Sequence, residues 1–514
     1  MLETLPANLK SVSLKYASRW TVRQWCAIVI GFGLLVRSIQ YFANRSLWAD
    51  ESVLALNIVN RSYSELLQPL DYDQAAPIGF LMVQKLAVQL FGNNEYALRL
   101  FPFIGSILAF GLFYRFAHRF LSRNAIILSV LLFTTLEYLV YYASEVKQYS
   151  TDVTVALLAA CLFIQIIDRP LNFTRFIAYA LVGSMAIWFS HPAVFSLAGF
   201  GTIALYLALK NRKTKRAIAL SAIYLSWATS FLIFYQLSLT FISSNKNLRT
   251  HWKSAFPDSL FDFNWLLERI NKFFGNPLGF HEGILVDVAL VIFAIGCFAL
   301  WKRNRFALSV LLVTPAFTLL AAYLQRYPFR YRLLLFLTPF VICIIAEGIV
   351  YLWEKSRSKP KWVQVLAGIA IAAILVPPLF DTSRLLISPL RREEIVPVIE
   401  HVKANQQEGD RLYIFQRGIY QFKYYAPKYG YQPGDYIIGV EDLDDGEEVT
   451  PAEWQRYQED FDRLRGNPRV WVLFSHVDGV PEEKETVVNY FKTIGKELDF
   501  FERPGAFVYL YDLT

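Results

Sequence analysis

Pro77-Ile78-Gly79-Phe80-Leu81-Met82-Val83-Gln84-Lys85-Leu86-Ala87-Val88-Gln89-Leu90-Phe91-Gly92 is the stretch on which the topology of this chain turns. It is apolar but 16 residues long, short of the roughly 20 that a helix needs to cross a bilayer core. Gln84, Lys85 and Gln89 leave it one polar face. Such a segment lies in the interface rather than across the membrane.

Around it, eleven longer apolar runs read as membrane spans: 24–43, 98–118, 125–143, 150–168, 173–190, 192–209, 217–241, 283–301, 305–323, 333–354 and 361–380. With 77–92 left out of the count, the basic loops fall on one face. These are Lys10/Lys15/Arg19/Arg23, Arg115/Arg119/Arg123, Arg169/Arg175, Lys210/Arg212/Lys213/Lys215/Arg216, Lys302/Arg303/Arg305 and Lys355/Arg357/Lys359/Lys361. The excess of Lys and Arg makes that face cytoplasmic. Counting 77–92 as a span would send the most basic loop, 210–216, outside. The N-terminus is therefore expected inside and the C-terminus outside. Segments 44–97, 242–282, 324–332 and 381–514 then face out, with 51–69 and 77–91 as interfacial pieces of the first.

Composition agrees with a polytopic α-helical membrane protein. The 514 residues are 55% hydrophobic and 18% charged, against roughly 25% charged in soluble chains. Mean hydropathy is +0.32, and 16% of residues are aromatic, which suits interfacial belts. The net charge of +8 is uneven. Residues 391–514 hold 15 basic and 24 acidic side chains, a balance of −9, which leaves +17 for the rest. A basic membrane part with an acidic tail argues against a nucleic-acid partner. Cys26, Cys161, Cys297 and Cys343 all lie in apolar runs without metal-ligand spacing. The first apolar run is of full length and carries no cleavable-signal pattern. Two domains are expected: a transmembrane domain over 1–384 and a small soluble α/β domain over 385–514. The latter shows a helix near 391–405, strands at 411–415, 470–474 and 506–511, and a helix near 482–494.

The polar residues gather at the outer ends of the spans. Ser46-Leu47-Trp48-Ala49-Asp50-Glu51 follows span one. Asp50 either caps the helix that follows or serves as a general base at the membrane surface. Neither Glu nor Gln stands three residues after it, so a capping box is not expected. Leu70-Asp71-Tyr72-Asp73-Gln74-Ala75-Ala76-Pro77 leads into the interfacial run, and Phe91-Gly92…Glu95…Arg99 leaves it. Glu145-Val146-Lys147-Gln148-Tyr149 closes span three, and Tyr327-Pro328-Phe329-Arg330-Tyr331-Arg332 opens span ten. Arg330, Tyr331, Arg332 and Lys147 are either snorkelling interfacial side chains or a site for an anionic group. His191-Pro192 sits at an outer helix junction, as a turn residue or as part of a site. Arg37, Glu137 and Asp287 lie within spans, where charges face a cavity or one another. The run Glu441-Asp442-Leu443-Asp444-Asp445-Gly446-Glu447-Glu448 lacks calcium-loop spacing and reads as a solvated acidic face.

This ordered set resembles the polytopic GT-C glycosyltransferases, nearest to glycosyltransferase family 39, which includes protein O-mannosyltransferases and bacterial aminoarabinose transferases. The resemblance covers about residues 20–380 and rests on the order and common face of the motifs. It implies inverting transfer of a sugar from a polyprenyl-phosphate donor, outside the cell, to a lipid, glycan or protein acceptor. It implies Asp50 as the base and Glu51 as its orienting neighbour. Lys147, Arg330, Tyr331 and Arg332 would bind the donor phosphate, and Tyr72, Asp73, Glu145 and His191 the sugar or acceptor. An integral protein of the bacterial plasma membrane, among membrane lipids, is expected. Two departures stand out. Asp73-Gln74-Ala75-Ala76-Pro77 lacks the basic residue of the aminoarabinose transferases, and neither His251 nor His281 matches their histidine pair. A divalent metal ion is therefore an open cofactor, with Asp73 and Glu145 as its ligand pair. The competing readings are a transporter or flippase of lipid-linked sugars and a non-catalytic scaffold. A transporter would show internal repeats and midplane breaks, and neither is visible.

Overall fold

The computed structural model describes residues 21–240, 252–280, 283–440, 449–477 and 481–514. His251, His281 and the acidic run 441–448 lie outside the described residues.

Among the described residues, nine helices are long and apolar enough to cross a membrane. They include α1 (Val22–Phe42), α4 (Glu95–Phe120), α7 (Tyr149–Asp168), α9 (Ala193–Lys210), α12 (Ile284–Arg303), α13 (Arg305–Tyr323) and α15 (Lys361–Arg384). The span near 125–143 is broken into α5 (Arg123–Thr135) and α6 (Glu137–Tyr141), and the pair bends by 62°. The run near 173–190 forms α8 (Phe173–Phe189), whose 17 residues fall short of a full span by length. α10 (Thr214–Phe234) continues through a π turn to Leu239. The last central helix, α14 (Thr338–Ser356), follows a 3₁₀ turn over Tyr331–Leu337 and is almost wholly buried. Glycines let α12 and α14 touch backbone to backbone. A Cβ on Gly296 would collide with the Ile344 carbonyl, and one on Gly348 with that of Ile292. Close approach through small residues is how membrane helices gain packing when apolar burial gives no advantage over lipid.

Pro77–Gly92 becomes α3 (Ile78–Phe91), a 14-residue helix too short to span at about 1.5 Å per residue. One face, with Ile78, Phe80, Leu81, Gln84 and Ala87, is buried, and Leu90 and Phe91 stay exposed. The interfacial piece near 51–69 resolves into α2 (Ala49–Asn60) and a 3₁₀ turn at Glu65–Leu67.

After Arg384 the chain builds a five-stranded sheet of order β2-β1-β3-β5-β4. β1 (Arg411–Ile414) and β3 (Val470–Ser475) pair in parallel, with the short β2 (Ile437–Ile438) beside β1. β5 (Ala506–Asp512) runs antiparallel to β3, with β4 (Lys496–Arg503) on its outer edge. β4 escapes sequence reading because Lys496-Glu497-Leu498-Asp499 looks like the polar end of a helix; as an edge strand it needs little apolar surface. The sheet domain seats on the Asp50 end of the bundle. Ile395, Val398 and Ile399 of α16 (Ile395–Asn405) share a core with Leu54, Leu56 and Ile58 of α2. Tyr425 Oη accepts from the Leu47 amide at 2.8 Å, and Gln421 donates to the Leu47 carbonyl at 2.9 Å.

The charges inside the spans do not pair as one set. Arg37 is 1% exposed, donates to the Ser106 and Phe133 carbonyls at 3.3 and 3.2 Å, and lies 4.0 Å over the Phe110 ring. Glu137 and Asp287 are on the exposed surface of their helices.

Candidate active site

The site is built where α2 starts. Trp48 is the N-cap, so Asp50 and Glu51 both stand in the first turn, where the helix dipole favours negative charge. Asp50 is therefore not the cap. Glu51 occupies the third position and accepts from the Trp48 amide at 3.4 Å, two residues from where a capping-box glutamate was sought.

Glu51 is fully buried and pairs with Arg99 at the start of α4, through Arg99 Nε at 2.9 Å and through Nη2. It also accepts from the Val146 amide at 2.8 Å. Arg99 donates to the Arg45 and Ser46 carbonyls at 2.6 and 3.1 Å, and Arg45 donates to the Ser144 carbonyl at 2.8 Å. Three separate segments, 45–51, 94–99 and 144–146, are thus tied by one ion pair. Burial works against ionisation of Glu51, but Arg99 and Arg45 hold its carboxyl below the usual range.

Asp50 turns the other way. Lys147 Nζ and Arg332 Nη2 each lie 2.8 Å from its carboxylate oxygens. Burial opposes its charge, but Arg332 and Lys147 bring its pKa down to about 2. Lys147 is also held by Gln74 Oε1 at 2.7 Å. Burial pushes the Lys147 ammonium down, against the pull of Asp50. The Arg332 guanidinium stacks between Trp48 and Tyr149, 5.7 and 5.6 Å from their ring centres. Glu145 lies beneath Trp48 and accepts from its indole N–H at 3.0 Å. Burial, followed by the charge of Glu51, pushes the Glu145 carboxyl up.

Asp50, Lys147, Arg332 and Glu145 are thus brought together around Trp48. The other expected site residues are placed differently. Arg330 stacks on Tyr331 at 4.7 Å, and Tyr331 takes a left-handed backbone (φ 42°), so Arg332 is the residue of that run that meets Asp50. Tyr72 (φ 62°) and Asp73 (φ 51°) form an exposed turn, where Tyr72 packs 4.6 Å from Tyr420 of the sheet domain. His191 packs 5.6 Å from Phe234, and burial lowers its pKa to about 4. No group of three or more His, Cys, Asp or Glu that could hold a metal ion occurs among the described residues. Exposed Asp73 and fully buried Glu145 do not form part of one.

The tail contributes residues that sequence reading did not single out. Glu393 accepts from the Ala49 amide at 2.8 Å and meets His476 Nδ1 at 2.7 Å. Glu394 accepts from Ser46 Oγ at 3.2 Å. The Arg392 guanidinium covers the Trp48 ring at 4.2 Å. No spacing signal connects residues more than 340 positions apart, so only folding reveals them.

Residues 75–238 match the family model described as dolichyl-phosphate-mannose-protein mannosyltransferase. The match takes in Arg99, Glu145 and Lys147 and leaves out Asp50, Arg332 and the tail. ArnT from Cupriavidus metallidurans bound to undecaprenyl phosphate is a solved structure similar to the whole chain, with TM-score 0.52 at 13% identity over 95% of this chain and 98% of that one. The chain has the GT-C fold seen in ArnT. ArnT in the apo state aligns with TM-score 0.50 at 13% identity over 95% of this chain and 97% of that one. The oligosaccharyltransferase AglB from Archaeoglobus fulgidus, in complex with an inhibitory peptide and a dolichol-phosphate, aligns with TM-score 0.46 at 11% identity over 95% of this chain and 74% of that one. No curated protein matches the chain at a comparable level. The GT-C fold places the Asp50 cluster on a scaffold whose ArnT representative holds a polyprenyl phosphate.

Proposed function

We propose that the protein is an inverting glycosyltransferase. It would take a sugar from a polyprenyl-phosphate donor and pass it to an acceptor at the outer face of the bacterial plasma membrane. The observation that carries this reading is Asp50 held 2.8 Å from both Lys147 and Arg332, at one end of an apolar bundle. The same two cations suit a phosphate as well as a carboxylate. ArnT crystallised with undecaprenyl phosphate supports the donor class, and the mannosyltransferase family model supports the reaction class.

In the proposed reaction the donor phosphate enters beside Lys147 and Arg332 and draws them from Asp50. An Asp pinned at a pKa of about 2 is a weak base. Sharing its cations with the monoanionic phosphodiester of the donor raises its proton affinity only when the donor is bound. The acceptor oxygen then attacks C1 of the sugar, and its proton passes to Asp50. The C1–O bond breaks, and its electron pair leaves with the lipid phosphate. Charge grows on that phosphate in the transition state, where Lys147 and Arg332 stabilise it. Glu51 acts through the shape of the loop rather than by touching substrate. Trp48 and Tyr149, with Glu145 beneath, hold the Arg332 guanidinium in place.

The N-terminus would be cytoplasmic and the sheet domain extracytoplasmic. The test joins chemistry to orientation. Purified full-length protein in lipid nanodiscs is expected to release polyprenyl phosphate from a polyprenyl-phosphate sugar when envelope extract is added. Reporter fusions after Arg216 are expected to read cytoplasmic, and those after Pro389 external. Acceptor-dependent release that fails across a panel of hexose and pentose donors sinks the transferase reading. A cytoplasmic C-terminus sinks the outer-face chemistry.

A further inference from the structure

The sheet domain does more than sit over the bundle, because one of its histidines is aimed at the Asp50 mouth. His476 follows β3 and has a left-handed backbone, φ 61°, uncommon outside glycine, though histidine, like asparagine and aspartate, enters it more often than most side chains. Strained conformations of this kind persist where the surroundings enforce them and gather at functional sites. Here the enforcing group is Glu393, 6% exposed at its side chain, whose two carboxylate oxygens are divided between His476 Nδ1 at 2.7 Å and the Ala49 amide at 2.8 Å. Ala49 immediately precedes Asp50, so a single carboxylate couples the imidazole to the backbone that carries the proposed base. The His476 ring lies 6.2 Å from the Trp48 ring, the same indole that Arg332 and Arg392 cover.

With a carboxylate facing Nδ1, that nitrogen carries the proton and donates it. In the neutral imidazole, Nε2 is then left as a lone-pair acceptor. It makes no hydrogen bond among the described residues, and the side chain is 42% exposed. The side it comes from is informative. Lys147 precedes α7 and Arg332 opens the turn into α14, so both cations come from the membrane part, where a lipid phosphate would lie. His476 comes from the sheet domain. In an inverting displacement, nucleophile and leaving group occupy opposite faces of C1. An acceptor arriving from the sheet-domain side would meet His476 first.

We propose that His476, oriented by Glu393, binds the acceptor, and that the acceptor is a polyol such as a glycan. One acceptor hydroxyl gives its proton to Asp50 as its oxygen attacks C1, while the lipid phosphate leaves with the bonding pair. A neighbouring hydroxyl of the same molecule donates a hydrogen bond to His476 Nε2. One O–H has a single proton and cannot serve both groups, so an acceptor with a lone hydroxyl leaves Nε2 unused. The inference rests on the glycosyl-transfer reading above and adds to it the acceptor class and the residue that selects it.

The test compares methyl glucoside with ethanol as acceptor probes, using full-length protein in nanodiscs and a panel of polyprenyl-phosphate sugars. Wild-type protein is expected to prefer the glucoside. His476→Asn keeps a residue suited to the left-handed backbone but is too short to reach the Nε2 position. It is expected to lower the glucoside-over-ethanol preference by up to about tenfold, the size of one lost hydrogen bond, while the KM for donor stays within error. Glu393→Gln is expected to lower the preference in the same direction. A folding defect would reduce both transfers alike and leave their ratio standing. An unchanged ratio in His476→Asn overturns the proposal, as does wild-type protein that transfers to ethanol without preferring the glucoside; transfer itself survives either result. No transfer to either probe while envelope extract still drives donor release overturns the polyol proposal and leaves glycosyl transfer standing; no release with extract either sinks both.

Discussion

Glu51 faces Arg99 in a pair whose side chains are 0% and 2% exposed, and it closes three backbone segments around itself. Asp50, one residue earlier, faces Lys147 and Arg332 at a mouth where its own side chain is 17% exposed and that of Arg332 is 35% exposed. Successive residues on a helix point about 100° apart, so one first turn serves two purposes. The Glu51 side is a latch: every partner is internal, and opening it would strand a buried charge. The Asp50 side is a clamp whose cations have access to a second anion. Adjacent residues of the same charge therefore differ in role because of what surrounds them, and variants at each should separate cleanly.

The largest expected effect is on the clamp. Asp50→Asn keeps the size of the side chain and removes the proton acceptor. Transfer is expected to fall by about 10²–10⁴-fold, the contribution of a positioned general base. Melting temperature should drop less than in a variant of Glu51, because Asp50 and Arg332 are partly solvated where Glu51 and Arg99 are not. Full turnover of polyprenyl-phosphate sugar by this variant would remove Asp50 from the chemistry.

Next comes the latch. Glu51→Gln leaves the buried Arg99 guanidinium without its counter-charge, and losing one partner of a buried pair costs about 3–5 kcal/mol. Here melting temperature should drop sharply, and activity per folded molecule should fall less than in Asp50→Asn. A variant that melts normally yet loses all transfer would reverse the assignment of the two carboxylates.

How much of this was legible before folding differs between the same two sides. The 77–92 run could be read as non-spanning because helix length against bilayer thickness is a one-dimensional question, and Gln84 and Lys85 mark its polar side. Glu145, Lys147, Arg330 and Arg332 could be picked out because charges at span ends are conspicuous. That Lys147 and Arg332 converge on Asp50 could not, since convergence depends on how α2, α7 and α14 pack. The break at Leu136, with its 62° bend, hides inside a continuous apolar run with no proline or glycine to announce it. Glu393, Arg392 and His476 were invisible for a similar reason. Polar residues in a soluble domain look like solvated surface until the domain is seen against Trp48.

A smaller effect probes how open the clamp is. Lys147→Met removes one of the two cations and leaves Arg332. The half-saturating donor concentration is expected to rise about tenfold, in line with one lost charge-assisted contact. The pH response also has a definite sign. The folded-state pKa of Asp50, about 2, lies below its ordinary value of 3.8, so the ion cluster contributes stability above pH 4 and loses it as pH falls toward 2. In Lys147→Met the Asp50 pKa rises toward its ordinary value, so the acid-side loss of stability should be smaller and complete at higher pH. An acid melting curve superimposable on wild type would show that Lys147 does not hold Asp50.

The smallest effect belongs to a pair that looks better on paper. Arg119 at the far end of α4 meets Asp168 at the end of α7 through two contacts, Nε to Oδ2 at 3.1 Å and Nη2 to Oδ1 at 3.0 Å. This two-pronged geometry exceeds the single contact that Arg332 makes with Asp50. Yet its side chains are 43% and 41% exposed, so water already solvates both charges, and such pairs contribute about 0–1 kcal/mol. It also lies 20 residues along α4, about 30 Å at the usual helical rise, from the Arg99 latch. Arg119→Ala should shift stability by less than about 1 kcal/mol and leave transfer and donor half-saturation at wild-type values. If it instead lowered transfer as Lys147→Met does, ion pairing as such would govern the enzyme. Contact geometry is at its best in Arg119–Asp168, so a null result there isolates desolvation and access to the lipid-phosphate side as what distinguishes the clamp.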